Sequence, residues 1–253
     1  MRLKQQLLSS TAPVNGVFCA VPTPLSVELA AAAGYDFVVI DLEHSLLAPD
    51  MLAAMLLAAR ASGIAALVRV AHLQQVAPAL DHGAEGIVFP RIGSVAEARA
   101  AVQSARHGPL GRRGTSATFH SGFGRDDLAT AQRRFDADTL VVLMIEDVAA
   151  VALAAEIAAV EGVDVLLEGA ADLAQSLGLP WRTRDPRVCE GLARIEAAAR
   201  AAGKWFCAMP RLPEDAMSWR SLGVRMFVLG EDRGFLRRAL VQRLQQHRAG
   251  AQA

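Results

Sequence analysis

Eight short apolar runs, each the length of a strand and each set apart from the next by a helix-like stretch, constrain this chain more than any other feature. They are 16–21, 37–41, 65–70, 86–90, 140–145, 163–168, 204–208 and 224–229. A parallel strand covered by helices on both faces reads as continuously apolar rather than alternating. Between the runs, 50–62, 94–106, 148–160 and 188–202 are rich in Ala, Leu, Arg and Glu at helical spacing. Gly34, Gly63, Gly83, Gly162, Gly203 and Gly223 sit just past a helix and before a strand, where helices stop on glycine. Eight strands alternating with helices predict an α/β fold, a single (β/α)8 TIM barrel over 1–253, with an open doubly wound sheet as the alternative. A chain of 253 residues with 53% hydrophobic residues has the size and the core for one such barrel, and no linker or composition break divides it.

Charge and cysteine content exclude several partners. Lys+Arg and Asp+Glu are both 26, so the net charge is zero, which argues against nucleic acid or an anionic membrane as the main partner. No segment reaches a membrane-spanning length and no long apolar leader opens the chain. Cys19, Cys189 and Cys207 are too few and too scattered for a disulfide framework or zinc cluster. A reducing, cytoplasmic setting is expected. The one long irregular stretch, 107–125, is expected to be functional or mobile, and its Arg112–Arg113 pair to be a solvated turn or an anion site. Residues 231–248 read as an amphipathic helix with Phe235, Leu236, Leu240 and Leu244 on one side, followed by a frayed Ala/Gln end.

In such a barrel the chemistry sits at the carboxyl ends of the strands. The second run leads straight into Asp41, Glu43 and His44; Arg69 lies near the end of the third; Glu146 and Asp147 follow the fifth; Asp172 follows the sixth. Each has a plain structural explanation alone: His44 beside a helix start, Arg69 in a buried ion pair, Asp172 as the N-cap of a helix over 173–178. Their convergence on one face makes a site the better account. Glu146 and Asp172 come from adjacent strands, and two carboxylates with open positions suit a hard divalent cation whose other ligands are substrate and water. Zinc lacks its usual His or Cys pairs here. Gly169, Ala170 and Ala171 form a small-residue loop into a helix, whose N–H groups suit a substrate carboxylate.

The segments 34–44 (GYDFVVIDLEH), 67–70 (LVRV), 83–99 (GAEGIVFPRIGSVAEAR), 108–114 (GPLGRRG), 144–147 (MIED) and 161–178 (EGVDVLLEGAADLAQSLG) resemble the HpcH/HpaI aldolase family, the metal-dependent 2-oxo-acid aldolases related to citrate lyase β subunits. The resemblance spans roughly 14–240, with the motifs in the same order. It implies that Glu146 and Asp172 ligate Mg2+, Mn2+ or Co2+, which chelates pyruvate or a similar oxo acid. It further implies that Arg69 stabilises the enolate, that His44, oriented by Asp41, moves protons through a water, and that Gly169–Asp172 holds the substrate carboxylate. The implied reaction is reversible aldol cleavage of a 4-hydroxy-2-oxo acid to an oxo acid and an aldehyde. Homo-oligomers, hexamers built from dimers, are implied as well, with the C-terminal helix on a neighbouring subunit.

Residue chemistry agrees independently. Enolate charge needs a metal or a Schiff-base lysine. The two lysines are Lys4, before the barrel, and Lys204, at the amino end of the seventh run, on the wrong face. Three positions depart from the pyruvate aldolases. Met144 stands where many members bind substrate with Gln, Ala170 replaces a Pro, and Glu168 replaces an apolar residue, putting a further carboxylate beside the metal site or into an ion pair with an Arg. The same scaffold resembles the siderophore-pathway citrate synthases, which join oxaloacetate to acetyl-CoA. A non-catalytic oxo-acid-binding barrel is the third reading, disfavoured because His44, Arg69, Glu146 and Asp172 are all present.

Overall fold

The computed structural model describes residues 2–250; the end of the expected Ala/Gln tail, 251–253, lies outside the described residues. Eight strands close into a barrel in chain order: β1 (Val14–Cys19), β2 (Phe37–Asp41), β3 (Ala65–Arg69), β4 (Gly86–Phe89), β5 (Leu140–Ile145), β6 (Val165–Glu168), β7 (Trp205–Ala208) and β8 (Met226–Glu231). Every pairing is parallel, and β8 returns to β1. The open sheet is thereby excluded. The first half of the helices comprises α1 (Leu3–Ser9), α2 (Pro24–Ala32), α3 (Pro49–Ser62), α4 (Val76–Asp81), α5 (Val95–Ala105) and α6 (Leu128–Asp138). The second half comprises α7 (Val148–Ala152), α8 (Ala154–Ala158), α9 (Ala170–Ser176), α10 (Pro186–Ala201), α11 (Pro213–Ser221) and α12 (Asp232–Gly250). The stretch expected as one helix over 148–160 is two, broken at Leu153. All six expected glycine stops are left-handed, with φ from 66° at Gly203 to 112° at Gly83.

Strand alternation sorts the core into two layers. Phe37, Val39, Leu67, Val142, Leu167 and their neighbours fill the lumen. Val38, Ile40, Val68, Leu143 and Leu166 face the helices. Leu3 and Leu7 of α1 belong to the lumen layer and stopper its amino end. There Lys4 Nζ lies 2.8 Å from Asp164 Oδ1, so this lysine is fixed on the face opposite the strand carboxyl ends. Among the described residues, no helix is long and apolar enough to cross a membrane.

The long 107–125 stretch joins α5 to α6, on the same amino face. Its Phe119 lines a cavity of about 680 Å3 with Arg2, Arg60 and Glu85, far from the strand carboxyl ends. Arg113 corrects the solvated-turn expectation. Its guanidinium is buried, pairs with Asp81 and stacks on the Phe135 ring at 4.1 Å. The loop is therefore anchored by its own arginine.

Candidate active site

Lumen parity decides which side chains meet at the carboxyl mouth. On β2, Phe37 and Val39 point inward, so Asp41 does too. On β3, Ala65 and Leu67 place Arg69 inward; on β5, Val142 and Met144 place Glu146 inward. Asp41 and Arg69 are register partners. The result is a bidentate pair, with Arg69 Nε 2.9 Å from Asp41 Oδ1 and Nη2 2.8 Å from Oδ2. Arg69 Nη1 reaches Glu43 Oε2 at 3.3 Å and Met144 Sδ at 4.0 Å, and its guanidinium lies over the Phe18 ring at 4.7 Å. Held on both edges and one face, this cation cannot swing away. Burial works against the Asp41 carboxylate, but the Arg69 contacts and the Glu43 and His44 amides outweigh it and hold the pKa below the usual range.

His44 does not pair with Asp41 through its ring. Asp41 Oδ1 accepts the backbone N–H groups of Glu43 at 3.0 Å and His44 at 3.4 Å, while both of its oxygens are already on Arg69. The His44 ring is 58% exposed, with Nε2 3.7 Å from Glu43 Oε2. Asp41 thus sets the backbone that carries His44, and Glu43 is the carboxylate beside the imidazole.

A residue the sequence did not single out completes this corner. Arg91, just beyond β4, has a left-handed backbone (φ 52°) that aims its N–H at Glu146 Oε1, 2.6 Å away. Its Nη2 lies 2.9 Å from Glu43 Oε1. Glu43 is therefore clamped between Arg69 and Arg91. Position after a barrel strand was the only available signal for Arg91.

Glu146 is buried, and burial pushes its carboxyl up to about 7. The Arg91 amide opposes the rise, whereas the charges of Asp172 and Glu43 add to it. Helix α9 begins at Ala170, so Asp172 lies in its first turn and is not the expected N-cap; Gly169 holds that position. Gly169 is required sterically. A Cβ there would fall 2.4 Å from Glu146 Cβ and 2.5 Å from Oε2. Ala170 is buried and Ala171 partly so at this same bend.

Four carboxylates, Asp41, Glu43, Glu146 and Asp172, thus share the mouth with Arg69 and Arg91. That balance leaves excess negative charge, and it falls on Glu146 and Asp172, which form no ion pair with an arginine among the described residues. A divalent cation fits the deficit. Among the described residues no group of three or more His, Cys, Asp or Glu is arranged to hold a metal by itself.

Glu168 corrects the expectation of a further carboxylate at the metal site. Val165 and Leu167 take the inward positions of β6, so Glu168 points toward the helices. It is buried against Arg211, with Oε2 3.3 Å from Nη1, and its other oxygen accepts the Met209 amide. The ion-pair alternative is the one realised. Burial raises its pKa.

The family model described as HpcH/HpaI aldolase/citrate lyase matches residues 15–239. A 4-hydroxy-4-methyl-2-oxoglutarate aldolase of Chaetomium globosum is 41% identical over 196 residues, 73% of this chain and 70% of that protein. A hydroxypyruvate/pyruvate aldolase of Delftia acidovorans is 30% identical over 239 residues, 94% of this chain and 89% of that protein. Among solved structures, the citrate synthase SbnG has a TM-score of 0.93 at 38% identity, covering 100% of this chain and 99% of that one. The match runs from β1 into α12 and takes in every strand that feeds the mouth: the chain belongs to the HpcH/HpaI aldolase/citrate lyase family.

Proposed function

We propose that the protein is a carbon–carbon lyase that reversibly cleaves a 4-hydroxy-2-oxo acid into pyruvate, or a close oxo acid, and an aldehyde. The observation that carries this reading is the immobilised Arg69 guanidinium in the same mouth as the buried Glu146 carboxyl, with no lysine beside them. Lys4 is tied to Asp164 at the amino end, and Lys204 precedes β7 at that same end. Relatives named for oxo-acid aldolases support an oxo-acid substrate.

Glu146 and Asp172 are the residues that would hold Mg2+, Mn2+ or Co2+, and the ion when bound supplies Lewis-acid polarisation of the 2-oxo group. Arg69 neutralises enolate charge from a position fixed before reaction begins, so no reorganisation is needed as the charge develops. The Gly169–Ala171 backbone faces the substrate carboxylate, and Met144 packs beneath it against Arg69. In cleavage, the C4 hydroxyl gives its proton through a water to His44. The C3–C4 bond breaks, its electron pair stays on C3 as the enolate, and the C4 fragment leaves as the aldehyde. Protonation of C3 then releases the oxo acid. Exposure of the imidazole suits exchange of this proton with solvent.

The likeness to a citrate synthase over the whole chain supports a second reading, condensation of oxaloacetate with acetyl-CoA through the same enolate chemistry. One experiment separates the two. The metal-loaded enzyme is incubated with pyruvate in D2O, and separately with oxaloacetate and acetyl-CoA. Methyl-proton exchange without thiol release supports the lyase; CoA release with citrate formation replaces it by the synthase.

A homo-oligomer belongs to this proposal. Helix α12 leaves Leu236, Leu240, Val241 and Leu244 exposed, and Phe235 and Leu236 border an apolar groove of about 340 Å3 against Leu25 and Leu29 of α2. A neighbouring copy would cover both. The chain is taken as one barrel unit acting in the cytoplasm, where three free cysteines are at ease.

A further inference from the structure

We propose that the cavity beside Arg113, on the amino face of the barrel, is a binding site for one small monovalent anion, chloride being the abundant representative. The site lies at the end opposite the mouth and does not depend on the lyase reading.

The guanidinium supplies the first observation. The Arg113 side chain is 3% exposed, and Asp81 engages Nη2 alone. Nε and Nη1 are buried and meet no hydrogen-bond partner among the described residues. The one N–H of Nε and the two of Nη1 are therefore idle, three of the five donors that an arginine carries. A buried charged donor left unpaired is costly, and native structures rarely keep one without a water or an ion beside it. Phe135 covers one face of the guanidinium at 4.1 Å, so an acceptor must approach along its edges.

The surroundings select that acceptor. Ser116, Thr118, His120 and Gln132 line the cavity with Arg113, and Asp81, already on Nη2, is the one carboxylate among the lining residues. Asp136, nearby, is drawn off by His107, through the backbone N–H at 3.1 Å and Nδ1 at 2.9 Å. The Ser116 and Thr118 hydroxyls make no hydrogen bond among the described residues and are free to donate. His120 offers no acceptor, because Nε2 lies 3.0 Å from Leu80 O and Nδ1 3.4 Å from Arg2 Nη2. The charges of Arg2, Arg113 and Arg60 all bear on that ring, so the field in this corner is positive. A water placed here would bring two further protons into a cluster of donors, whereas an anion only accepts. Size narrows the choice again. At about 20 Å3 the cavity exceeds what one water needs and falls short of phosphate or an organic acid. The ion would tie the 107–125 stretch to Asp81 at the end of α4 and to Phe135 on α6, which is the use the fold has for it.

An ion that binds the folded chain alone raises stability by mass action, and this is what the test reads. Melting temperatures are measured in sodium chloride and in sodium gluconate of equal ionic strength, gluconate being too large for the cavity. General salt effects are removed by comparison with A131L, which fills the cavity from α6 without touching the guanidinium. Once chloride stands at about five times its Kd, the chloride-minus-gluconate difference should be about 2–4 °C larger in wild type than in A131L. A wild-type crystal soaked in sodium bromide should show anomalous scattering beside Arg113 Nη1, a measurement that stands even if A131L does not fold. A salt difference equal in the two proteins, or a cavity holding water and no bromide, overturns the proposal.

Discussion

Asp41 spends both carboxylate oxygens on one guanidinium, that of Arg69, at 2.9 and 2.8 Å. Removing one partner of a buried pair leaves an uncompensated charge, which costs about 3–5 kcal/mol. Asp41→Asn should therefore lower stability by up to that order, Glu43 still facing Arg69, and lower turnover, because the bidentate hold that fixes Arg69 is lost. Arg69→Lys should not restore activity, since an ammonium cannot make the bidentate contact. The folded pKa of Asp41 is depressed, so its contribution is present above the unfolded value of 3.8 and is lost as pH falls through the folded value. Urea unfolding across acidic pH should show this limb in wild type and not in Asp41→Asn.

Activity should vanish in EDTA and return with Mg2+, Mn2+ or Co2+. Mn2+ binding, followed by electron paramagnetic resonance, should weaken about tenfold per pH unit below about 7, because the ion competes with the Glu146 proton, and should level off above it. Glu146→Gln should fold and fail to bind Mn2+ at any pH. Full activity of metal-free protein would sink the metal assignment.

His44→Ala should reduce turnover by about 10²–10⁴-fold. Metal binding and melting temperature should hold, because the ring is mostly exposed and packs on little. Normal turnover in this variant would make His44 a bystander.

His120 reports on the amino face. Burial lowers its pKa to about 4, and the neutral ring bridges Leu80 O at 3.0 Å and Arg2 Nη2 at 3.4 Å. Between 6.5 and about 4 the unfolded chain takes up a proton that the folded chain refuses, so stability falls as pH drops through this window. Allowing for solvent screening, the loss attributable to His120 is roughly 1–2 kcal/mol. Urea midpoints at successive pH values should fall less steeply for His120→Gln.

Light scattering should find an oligomer at micromolar concentration. Leu240→Glu with Leu244→Glu should dissociate it while the far-ultraviolet spectrum of the barrel is kept. A stable wild-type monomer refutes the assembly.

The barrel was legible because strands covered on both faces leave uninterrupted apolar runs, and because turns into them need glycine. The mouth was legible because charged residues directly after such runs have one place to go. Side-chain direction was harder. Glu168 looked like a neighbour of Glu146, yet it lies one step beyond Leu167, and that single step turns it from lumen to helix layer. Pairing choices were harder still. Nothing local says that Asp41 prefers the guanidinium of Arg69 to the ring of His44, or that Arg113 finds Asp81 across the fold. Arg91 escaped notice because its importance lies in a backbone angle that arginine rarely adopts.

The α1 stopper has a kinetic consequence. With Leu3 and Leu7 closing the amino end of a lumen already packed with side chains, a substrate reaches the site from the carboxyl mouth, where Arg91 and His44 stand. An oxo acid seated at Met144 and Glu146 lies inside the fragment that reaches these outer residues. The aldehyde therefore departs first and the oxo acid last, and the reverse reaction loads them in the opposite order.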